Sequence, residues 1–242
     1  MRARVLIEPP TDIGSLLLVA SSTVENYLKA ILQLEASGVA SVGSIAEELS
    51  VTPGTVSAML KQLSEQKLVK YVPRRHVSLL AKGRREALAV VRRHRIIETF
   101  LVTTMGFDWS EVHAEAEVLE HVVSDRLLTR MDEMLGHPSH DPHGDPIPGR
   151  DGEMPQATSS LVLAHAPDGK YRLAQVDDSD PDFLNWLSEH GLQPGSGFVL
   201  DTAQRVAGLL SLTLKSGTKV PVSLPAAGRM TIQAVAVDSV HE

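Results

Sequence analysis

Apolar side chains recur with a helical period through the first half of the chain and in short runs through the last third. Between Tyr27 and Leu34, and again between Val56 and Leu63, they return every three or four residues, as on one face of an α-helix. After about residue 158 they come instead in short runs separated by Gly, Pro and Asp, which is typical of strands. The pattern predicts a mainly α protein with a β accessory domain.

Local signals divide the front of the chain into three helices and a hairpin. Ser22 and Glu25 fit a capping box at the start of the first helix, and Thr52 with Pro53 is a strong start signal for the third. Helix, helix, tight turn, helix and two-stranded hairpin make a winged helix-turn-helix, whose third helix enters the major groove of DNA. The predicted helices span residues 22–38, 42–49 and 52–66, and the predicted strands span 68–72 and 76–80.

Small and basic residues on this module are the candidate DNA contacts. Small hydroxylated residues at the start of the third helix allow close approach to base edges and phosphates, and basic residues can pair with phosphates. A helical bundle with a basic solvated face, or a winged protein-interaction domain, is the alternative. The candidate contacts are Thr52, Gly54, Thr55, Ser57, Ala58, Lys61, Arg74 and Arg75.

Charge is distributed unevenly along the chain. Residues 21–105 hold 12 Lys/Arg against 7 Asp/Glu, a net of +5, whereas residues 106–242 hold 9 against 21, a net of −12. A basic front joined to an acidic remainder favours a nucleic-acid-binding front end.

The stretch HAEAEVLEH, residues 113–121, carries the chemistry. On one helix, His113, Glu117, Glu120 and His121 would stand at i, i+4, i+7 and i+8, all on one face. His94 and Glu98 repeat the i, i+4 spacing upstream. Imidazoles together with carboxylates suit a first-row divalent metal, and a solvated acidic helix face is the alternative.

The rest of the chain is predicted from periodicity and from its turn residues. A long helix at 82–104 precedes two shorter helices, the first capped by Asp108 or Ser110 and the second by Ser124. A Pro-, Gly- and His-rich stretch at 136–156 indicates a linker or irregular loop. Its His137, His140 and His143 are expected to be solvated, and metal binding is the alternative. A small barrel follows, with one helix at 181–189 and strands at 160–165, 171–176, 197–200, 209–214, 220–224 and 230–237.

The chain contains no cysteine, which excludes disulfides, thiolate metal sites and a cysteine nucleophile. The apolar run Leu16–Ala20 is too short to span a membrane, and Glu8, Pro9 and Asp12 interrupt any signal-peptide core. These features predict a soluble cytoplasmic protein.

From about Ser22 to Gly149 the sequence resembles the metal-dependent repressors of the diphtheria-toxin-repressor and manganese-transport-regulator type. The resemblance rests on ENYLKAI, IAEEL, TPGTVSAMLKQL, RRHRIIE, VHAEAEVLEHVVSD and GDPIPG, and the GLQPG turn of the barrel resembles the SH3-like third domain of that family. It implies a DNA-binding domain, a helical metal-binding and dimerisation domain, and an SH3-like (FeoA-like) β domain. The expected boundaries are an extension at 1–21, then 22–82, 83–136, a linker at 137–157, and 158–242.

The resemblance also implies two metal sites per subunit. The primary site would fall on Glu117, Glu120, His121 and Asn26. The ancillary site would fall on His94, Glu98 and His113, closed by groups of the third domain, for which Asp180 and Asp182 are the nearest candidates. Because both aspartates begin the barrel's helix, N-terminal capping is the alternative for them.

The predicted function is a repressor that a divalent metal activates for binding to an operator. By this resemblance, Glu117 matches manganese-type members, where iron-type members carry Cys. Asn26 departs from both subfamilies, and Lys29 stands where manganese-type members have a carboxylate. Oxygen and nitrogen ligands favour Mn(II), with Fe(II) second. The expected partners are a second copy of the chain and double-stranded DNA with an inverted repeat, without a membrane or a small organic substrate.

Two other classes compete with the repressor. A small metallohydrolase could use the same carboxylate–imidazole face, but the sequence has no H-E-x-x-H, phosphate loop or G-x-S-x-G. A winged-helix interaction protein could hold a purely structural metal. DNA binding that depends on metal would distinguish the repressor from both.

Overall fold

The computed structural model describes the backbone of residues 13–155 and 159–235 and the side chains from residue 22 onward. It divides into two compact units, one of residues 1–92 and 150–152, the other of residues 93–149 and 153–242. None of the described helices is long and apolar enough to cross a membrane. The predicted 1–21 extension lies mostly outside the described residues.

The first unit begins with helix α1, Ile13–Ser37, which starts nine residues earlier than the sequence predicted. Ser22 therefore lies inside the helix, and the predicted capping box at Ser22 and Glu25 is wrong. The segment upstream of Ser22 holds Leu, Val and Ala without a Pro after Pro10, so no strong helix breaker forces a start at Ser22.

Helices α2, Val42–Glu48, and α3, Pro53–Glu65, complete the helix-turn-helix. The Thr52 side chain accepts a hydrogen bond from the backbone N–H of Thr55, so the predicted start of the third helix is confirmed. Buried side chains of all three helices pack together in the core of this unit, which includes Leu28, Ile31, Ile45, Leu60 and Leu63.

The hairpin after α3 is shorter than predicted. Strand β1, Val69–Lys70, pairs antiparallel with β2, Ser78–Leu79. Glu35 of α1 accepts a hydrogen bond from the Leu79 backbone N–H at 2.9 Å and one from Arg84 at 2.6 Å, so the hairpin is tied to its unit. A winged helix-turn-helix is thus present as predicted.

Helix α4, Ala81–Met105, follows the hairpin directly. Its first turn passes so close to the chain leaving α3 that a Cβ on Gly83 would lie 2.1 Å from the Leu68 carbonyl oxygen. Glycine is therefore required there for the helix to approach the backbone.

The second unit contains the end of α4 and two shorter helices, α5, Val112–Leu119, and α6, Asp125–Met134. Ser124 caps α6 as predicted, because its side chain accepts from the Leu127 N–H. Neither Asp108 nor Ser110 caps α5: the N-cap residue is Glu111, without a side-chain bond, and Asp108 instead accepts both hydrogen bonds of Ser110. Those short-range bonds form a turn one step before the helix begins.

The β part is an antiparallel sheet of six strands: β3 Leu161–Val162, β4 Gly169–Val176, β5 Gly197–Asp201, β6 Leu209–Leu214, β7 Lys219–Ser223 and β8 Met230–Ala234. They lie in the order β3-β8-β4-β5-β6-β7 across the sheet. Helix α7, Pro181–Glu189, lies between β4 and β5 in sequence as predicted, and the four-residue α8, Leu224–Ala227, precedes β8.

Trp109 joins the helical and β parts of the second unit, although α4 and α5 also have a small core of their own. Trp109, just before α5, is buried in the cluster that fills the sheet, and its indole N–H donates to Ser188 of α7 at 2.6 Å. The stretch at 136–149 also packs into this unit, since Asp141, His143 and Ile147 are buried. The expectation of a solvated loop is therefore wrong for His143.

Candidate metal centre and DNA-binding surface

A cluster of carboxylates and imidazoles lies inside the second unit. Helix α4 supplies His94 and Glu98, one turn apart and both buried. The two nitrogens of His94 are each engaged by a carboxylate: Nδ1 lies 2.6 Å from Glu120 Oε2, and Nε2 lies 2.9 Å from Glu98 Oε1. The i, i+4 spacing read from the sequence therefore places both groups in the same interior site.

Helix α5 adds His113 and Glu117 to the same cluster. His113 Nδ1 lies 3.3 Å from Glu98 Oε1 and 3.2 Å from His94 Nε2, while its Nε2 lies 3.6 Å from Glu117. The hydrogen bond to Glu98 raises the pKa of His113 above its ordinary value, although burial opposes this. Burial likewise opposes ionisation of Glu98, but the bonds from His113 and His94 outweigh it and hold the pKa of Glu98 far below its ordinary value.

Two groups that sequence reasoning did not assign complete the site. His143 Nδ1 lies 3.9 Å from Glu98 Oε2 and 4.0 Å from Asp178 Oδ2, and Asp178 Oδ2 lies 3.7 Å from His113 Nδ1. Asp178 comes from the segment between β4 and α7, so the β part contributes a carboxylate to a cluster built mainly by helices.

Trp109 fixes the orientation of the His143 ring. Its Nε2 lies 2.8 Å from the carbonyl oxygen of Trp109, so this nitrogen carries the proton and donates it. The ring also stacks on the Trp109 indole, with centroids 5.6 Å apart and planes 14° apart. Nδ1 therefore faces the carboxylates of Glu98 and Asp178.

The loop bearing His143 is held by a buried aspartate and an arginine. Asp141 Oδ1 accepts from the backbone N–H groups of His143 and Asp145, each at 2.9 Å. Arg95 of α4 donates to Asp145 at 2.9 Å and to the Pro146 carbonyl oxygen at 2.6 Å. Burial raises the pKa of Asp141 well above its ordinary value, and Asp145 and Glu98 raise it further.

The donors of this cluster fit a divalent cation. Glu98 Oε2 and His143 Nδ1 face each other, both are buried, and neither has a hydrogen-bond partner among the described residues. A buried polar atom without a partner costs free energy, and a cation bound between the two atoms would satisfy both. Three groups of described side chains could each hold a metal ion, because the donor atoms within each group lie within 4.8 Å of one another. The groups are His94, His113 and Glu117; Glu98, Asp141 and His143; and Glu98, His113 and Asp178.

The end of HAEAEVLEH differs from the sequence expectation. Helix α5 stops at Leu119, so Glu120 and His121 lie in the turn that follows and do not continue the helical face. Glu120 is nevertheless fully buried and bonded to His94, and His121 Nε2 lies 3.6 Å from Glu120 Oε1. The expectation that the four polar residues share one straight helix face is therefore wrong. Glu117 and Glu120 nevertheless both approach His94.

The third-domain aspartates named from the sequence occupy other positions. Asp180 is the N-cap of α7, accepting from the N–H groups of Asp182 and Phe183, and its other oxygen accepts from Arg229 at 2.9 Å. Asp182 is exposed in the first turn of α7. Asp178, two residues before Asp180, is the carboxylate that faces His113.

Some of these residues left a trace in the sequence and others did not. His143 belongs to a His-rich stretch directly before GDPIPG, so its neighbourhood was visible even though the loop composition suggested solvent. Asp178 stands in DDSD, where nothing distinguishes it from its neighbours. Asn26, on α1 in the first unit, has a buried amide oxygen without a hydrogen-bond partner.

The candidate DNA contacts lie on the surface of the first unit. Thr52, Gly54, Thr55 and Ala58 are exposed along the start of α3, and Ser57 is half-buried. Ser57 donates to the Pro53 carbonyl oxygen at 2.9 Å. Lys61 on α3 and Arg74 and Arg75 in the wing are exposed as well, so small hydroxylated residues and cations flank the recognition helix.

Known proteins match the chain along most of its length. Residues 19–77 match the N-terminal DNA-binding domain of iron-dependent repressors, and residues 81–149 match their metal-binding and dimerisation domain. The iron-dependent repressor IdeR of Mycobacterium leprae is 34% identical over 194 residues, which cover 75% of this chain and 84% of the relative. The diphtheria toxin repressor of Corynebacterium diphtheriae is 38% identical over 164 residues, covering 64% of this chain and 73% of the relative.

A solved manganese-dependent transcriptional repressor in complex with manganese has the same fold, with a TM-score of 0.80 and 39% identity. The match covers 88% of this chain and all of that structure. Proteins of this kind are repressors that bind DNA through the winged module and dimerise through the helical domain, and they are not enzymes. With the winged module, the buried carboxylate–imidazole cluster and these matches together, the chain belongs to the family of iron-dependent repressors and is a metal-dependent, DNA-binding transcriptional repressor.

Proposed function

We propose that manganese activates this repressor and that its homodimer binds an inverted-repeat operator. The observation that carries the metal proposal is the pair of buried, facing atoms Glu98 Oε2 and His143 Nδ1, which have no hydrogen-bond partner in the part of the chain that the structure describes. Every donor around them is oxygen or nitrogen, a set that suits Mn(II) and Fe(II). Manganese is favoured because the chain has no cysteine, whose soft thiolate would help select iron.

Two metal sites per subunit are proposed. The primary site consists of Glu117, Glu120, His121 and Asn26, assigned through the resemblance to known repressors. The second site consists of His94, Glu98 and His113, completed by His143 and Asp178, because these two groups face Glu98 and His113. Asp180 and Asp182 give way to Asp178 in this proposal, since Asp180 is engaged by Arg229 and by the start of α7.

A bound cation would neutralise the carboxylates of this cluster and accept the lone pair of His143. The chain's own residues prepare that role: Trp109 keeps the proton on Nε2 of His143, and the carboxylates of Glu98 and Glu120 orient the ring of His94 from both sides. Proteins of this type gain operator affinity when metal favours the binding-competent state, with a usual coupling of about 1–3 kcal/mol.

Dimerisation is proposed to use the helical part of the second unit. Within one subunit, Val118, Val122, Leu127 and Met134 on and between α5 and α6 are apolar and about half or more exposed. Apolar groups grouped in this way typically mark a protein interface. A twofold dimer would present two recognition helices, which is the geometry that an inverted repeat requires.

The test measures binding to a labelled operator as a function of free Mn(II) and, under anaerobic conditions, of free Fe(II). Glu120→Ala and His121→Ala are expected to lose metal-stimulated binding, and His143→Ala is expected to need a higher metal concentration. His140→Ala is the control, because His140 is exposed outside the cluster. Activation by Fe(II) at far lower free concentration than Mn(II) would refute the manganese assignment, and a full response in His121→Ala would refute the primary site.

A further inference from the structure

We propose that Arg229 is a positioning residue for the second metal site, because it fixes the short segment from which Asp178 reaches the cluster. This inference rests on the proposed function, since it assumes that Asp178 is a ligand. Arg229 stands directly before β8, the strand that pairs with both β3 and β4. Within the described residues, its guanidinium bonds to Asp177 and Asp180, neither of which belongs to the metal cluster.

Within the described part of the chain, Asp178 forms no hydrogen bond that would hold it in place. Its carboxylate lies 3.7 Å from His113 Nδ1 and 4.0 Å from His143 Nδ1, and both distances are too long for hydrogen bonds. Its side chain is about a third exposed. Its position must therefore come from its neighbours in the sequence.

Those neighbours are both attached to Arg229. Its Nη2 donates to Asp177 Oδ1 at 3.1 Å, its Nη1 donates to Asp180 Oδ2 at 2.9 Å, and its backbone carbonyl accepts from the Asp177 N–H at 3.0 Å. Asp178 is thus enclosed between two residues anchored to one guanidinium. Arg229 itself rests on the ring of Phe183 on α7, with Cζ 4.1 Å from the ring centroid.

The forked shape of the guanidinium explains why an arginine serves here. Two carboxylates on opposite sides of Asp178 and Ser179 require a cation with donors in two directions, which a planar guanidinium offers and a lysine ammonium does not offer in a fixed geometry. A segment fixed in advance loses less conformational entropy when its ligand binds a cation.

The prediction concerns metal affinity and not folding. Arg229→Leu is expected to weaken Mn(II) binding at the second site about tenfold, the low end of what loss of an outer partner costs a metal site. Arg229→Lys should recover only part of the affinity, because it can hold one carboxylate at a time. Arg172→Leu, which removes an exposed arginine from β4 of the same sheet, is the matched control and should bind Mn(II) like the wild type.

The experiment is calorimetric titration of the full-length chain with Mn(II) alone, together with thermal unfolding of the metal-free variants. Asp178→Asn serves as the reference for loss of the ligand. If Asp178→Asn loses the second site and Arg229→Leu does not, the positioning role is wrong and the proposed site stands. If Asp178→Asn binds Mn(II) normally, the proposed ligand and the positioning role both fail.

Thermal unfolding separates positioning from general stability. The positioning role predicts that metal-free Arg229→Leu unfolds close to the wild type while its stabilisation by saturating Mn(II) is reduced. If metal-free Arg229→Leu instead melts well below the wild type, and Arg229→Lys recovers neither stability nor Mn(II) affinity, Arg229 is a structural residue and the inference is overturned.

Discussion

At the scale of single residues, the cluster balances proton and metal binding on the same atoms. Glu98 is ionised at the cost of burial because His113 and His94 donate to it, and His113 holds its proton more tightly because Glu98 accepts it. A divalent cation needs neutral imidazoles and charged carboxylates, so metal and protons compete for this site.

The pH dependence of the metal-free protein follows from these shifts. A histidine whose pKa is raised on folding stabilises the fold fully below its ordinary value, about 6.5, and this contribution is lost as pH rises through the raised value. The raised pKa of Asp141 acts in the same direction at lower pH, because ionising this buried acid costs stability. The lowered pKa of Glu98 has the opposite sign: its contribution is present above its ordinary value and is lost as pH falls.

We therefore expect the metal-free chain to unfold at a lower temperature at pH 8 than at pH 6. With saturating Mn(II) the difference should shrink or reverse, because deprotonation then favours metal binding. Scanning calorimetry at both pH values measures this, and His113→Gln should remove the part that depends on His113. If the metal-free wild type is equally stable at both pH values, as His113→Gln is, the raised pKa of His113 is contradicted.

Residue spacing predicted part of this site and missed the rest for a physical reason. His94, Glu98, His113 and Glu117 could be found because helical spacing fixes which side chains share a face. Asp178 could not be separated from Asp180 and Asp182, since all three lie at the start of one helix and only tertiary packing decides which carboxylate turns inward. For Asp180, N-terminal capping and metal ligation were both open from the sequence, and the structure shows Asp180 as the N-cap of α7.

At the scale of elements, the docking of the 141–147 loop on strand β4 decides where His143 lies. The loop meets β4 at Ala174, where the pairing of β4 with β8 shifts register, and the Val176 N–H donates to the His143 carbonyl oxygen at 3.0 Å. Gly144 has φ of +89°, and a Cβ added there would lie 2.0 Å from the Ala174 carbonyl oxygen. Composition alone suggested a solvated linker because it does not report this contact.

Gly144→Ala should therefore damage the fold and the second metal site together. The strained φ and the steric clash should lower the free energy of unfolding by about 2–4 kcal/mol, and displacement of His143 should weaken Mn(II) binding. Denaturant unfolding and calorimetric titration measure the two effects. Gly136→Ala is the matched control: its φ is +72° but a Cβ there meets nothing within 4 Å, so only the conformational penalty of about 1–2 kcal/mol remains.

At the scale of the whole molecule, the separation of charge matches the separation of tasks. The basic stretch at 21–105 contains the winged module, and the acidic remainder contains most of the metal cluster and the sheet. The sequence predicted the order and type of the elements well, since helix spacing, the Thr52 cap and the β runs are local signals. The start of α1 and the end of α5 were predicted less well, because no strong breaker marks either position.

Charge on the wing should govern how DNA binding depends on salt. Arg74 and Arg75 are exposed beside the recognition helix, and phosphate contacts contribute a slope of about −0.9 per neutralised phosphate to log K against log salt. In the presence of metal, Arg74→Ala/Arg75→Ala should weaken binding to operator and to unrelated DNA alike, and should make the slope shallower by up to about 2.

The control must remove the same charge from the second unit. Arg172→Ala/Lys219→Ala does so, because both side chains are exposed on strands of the sheet. If binding responded only to net charge, both double variants would shift affinity equally, whereas contact by the wing requires the slope to change in the first and not in the second. Anisotropy titrations over a range of salt concentrations at saturating Mn(II) distinguish the two, and an unchanged slope in the wing variant would remove Arg74 and Arg75 from the DNA interface.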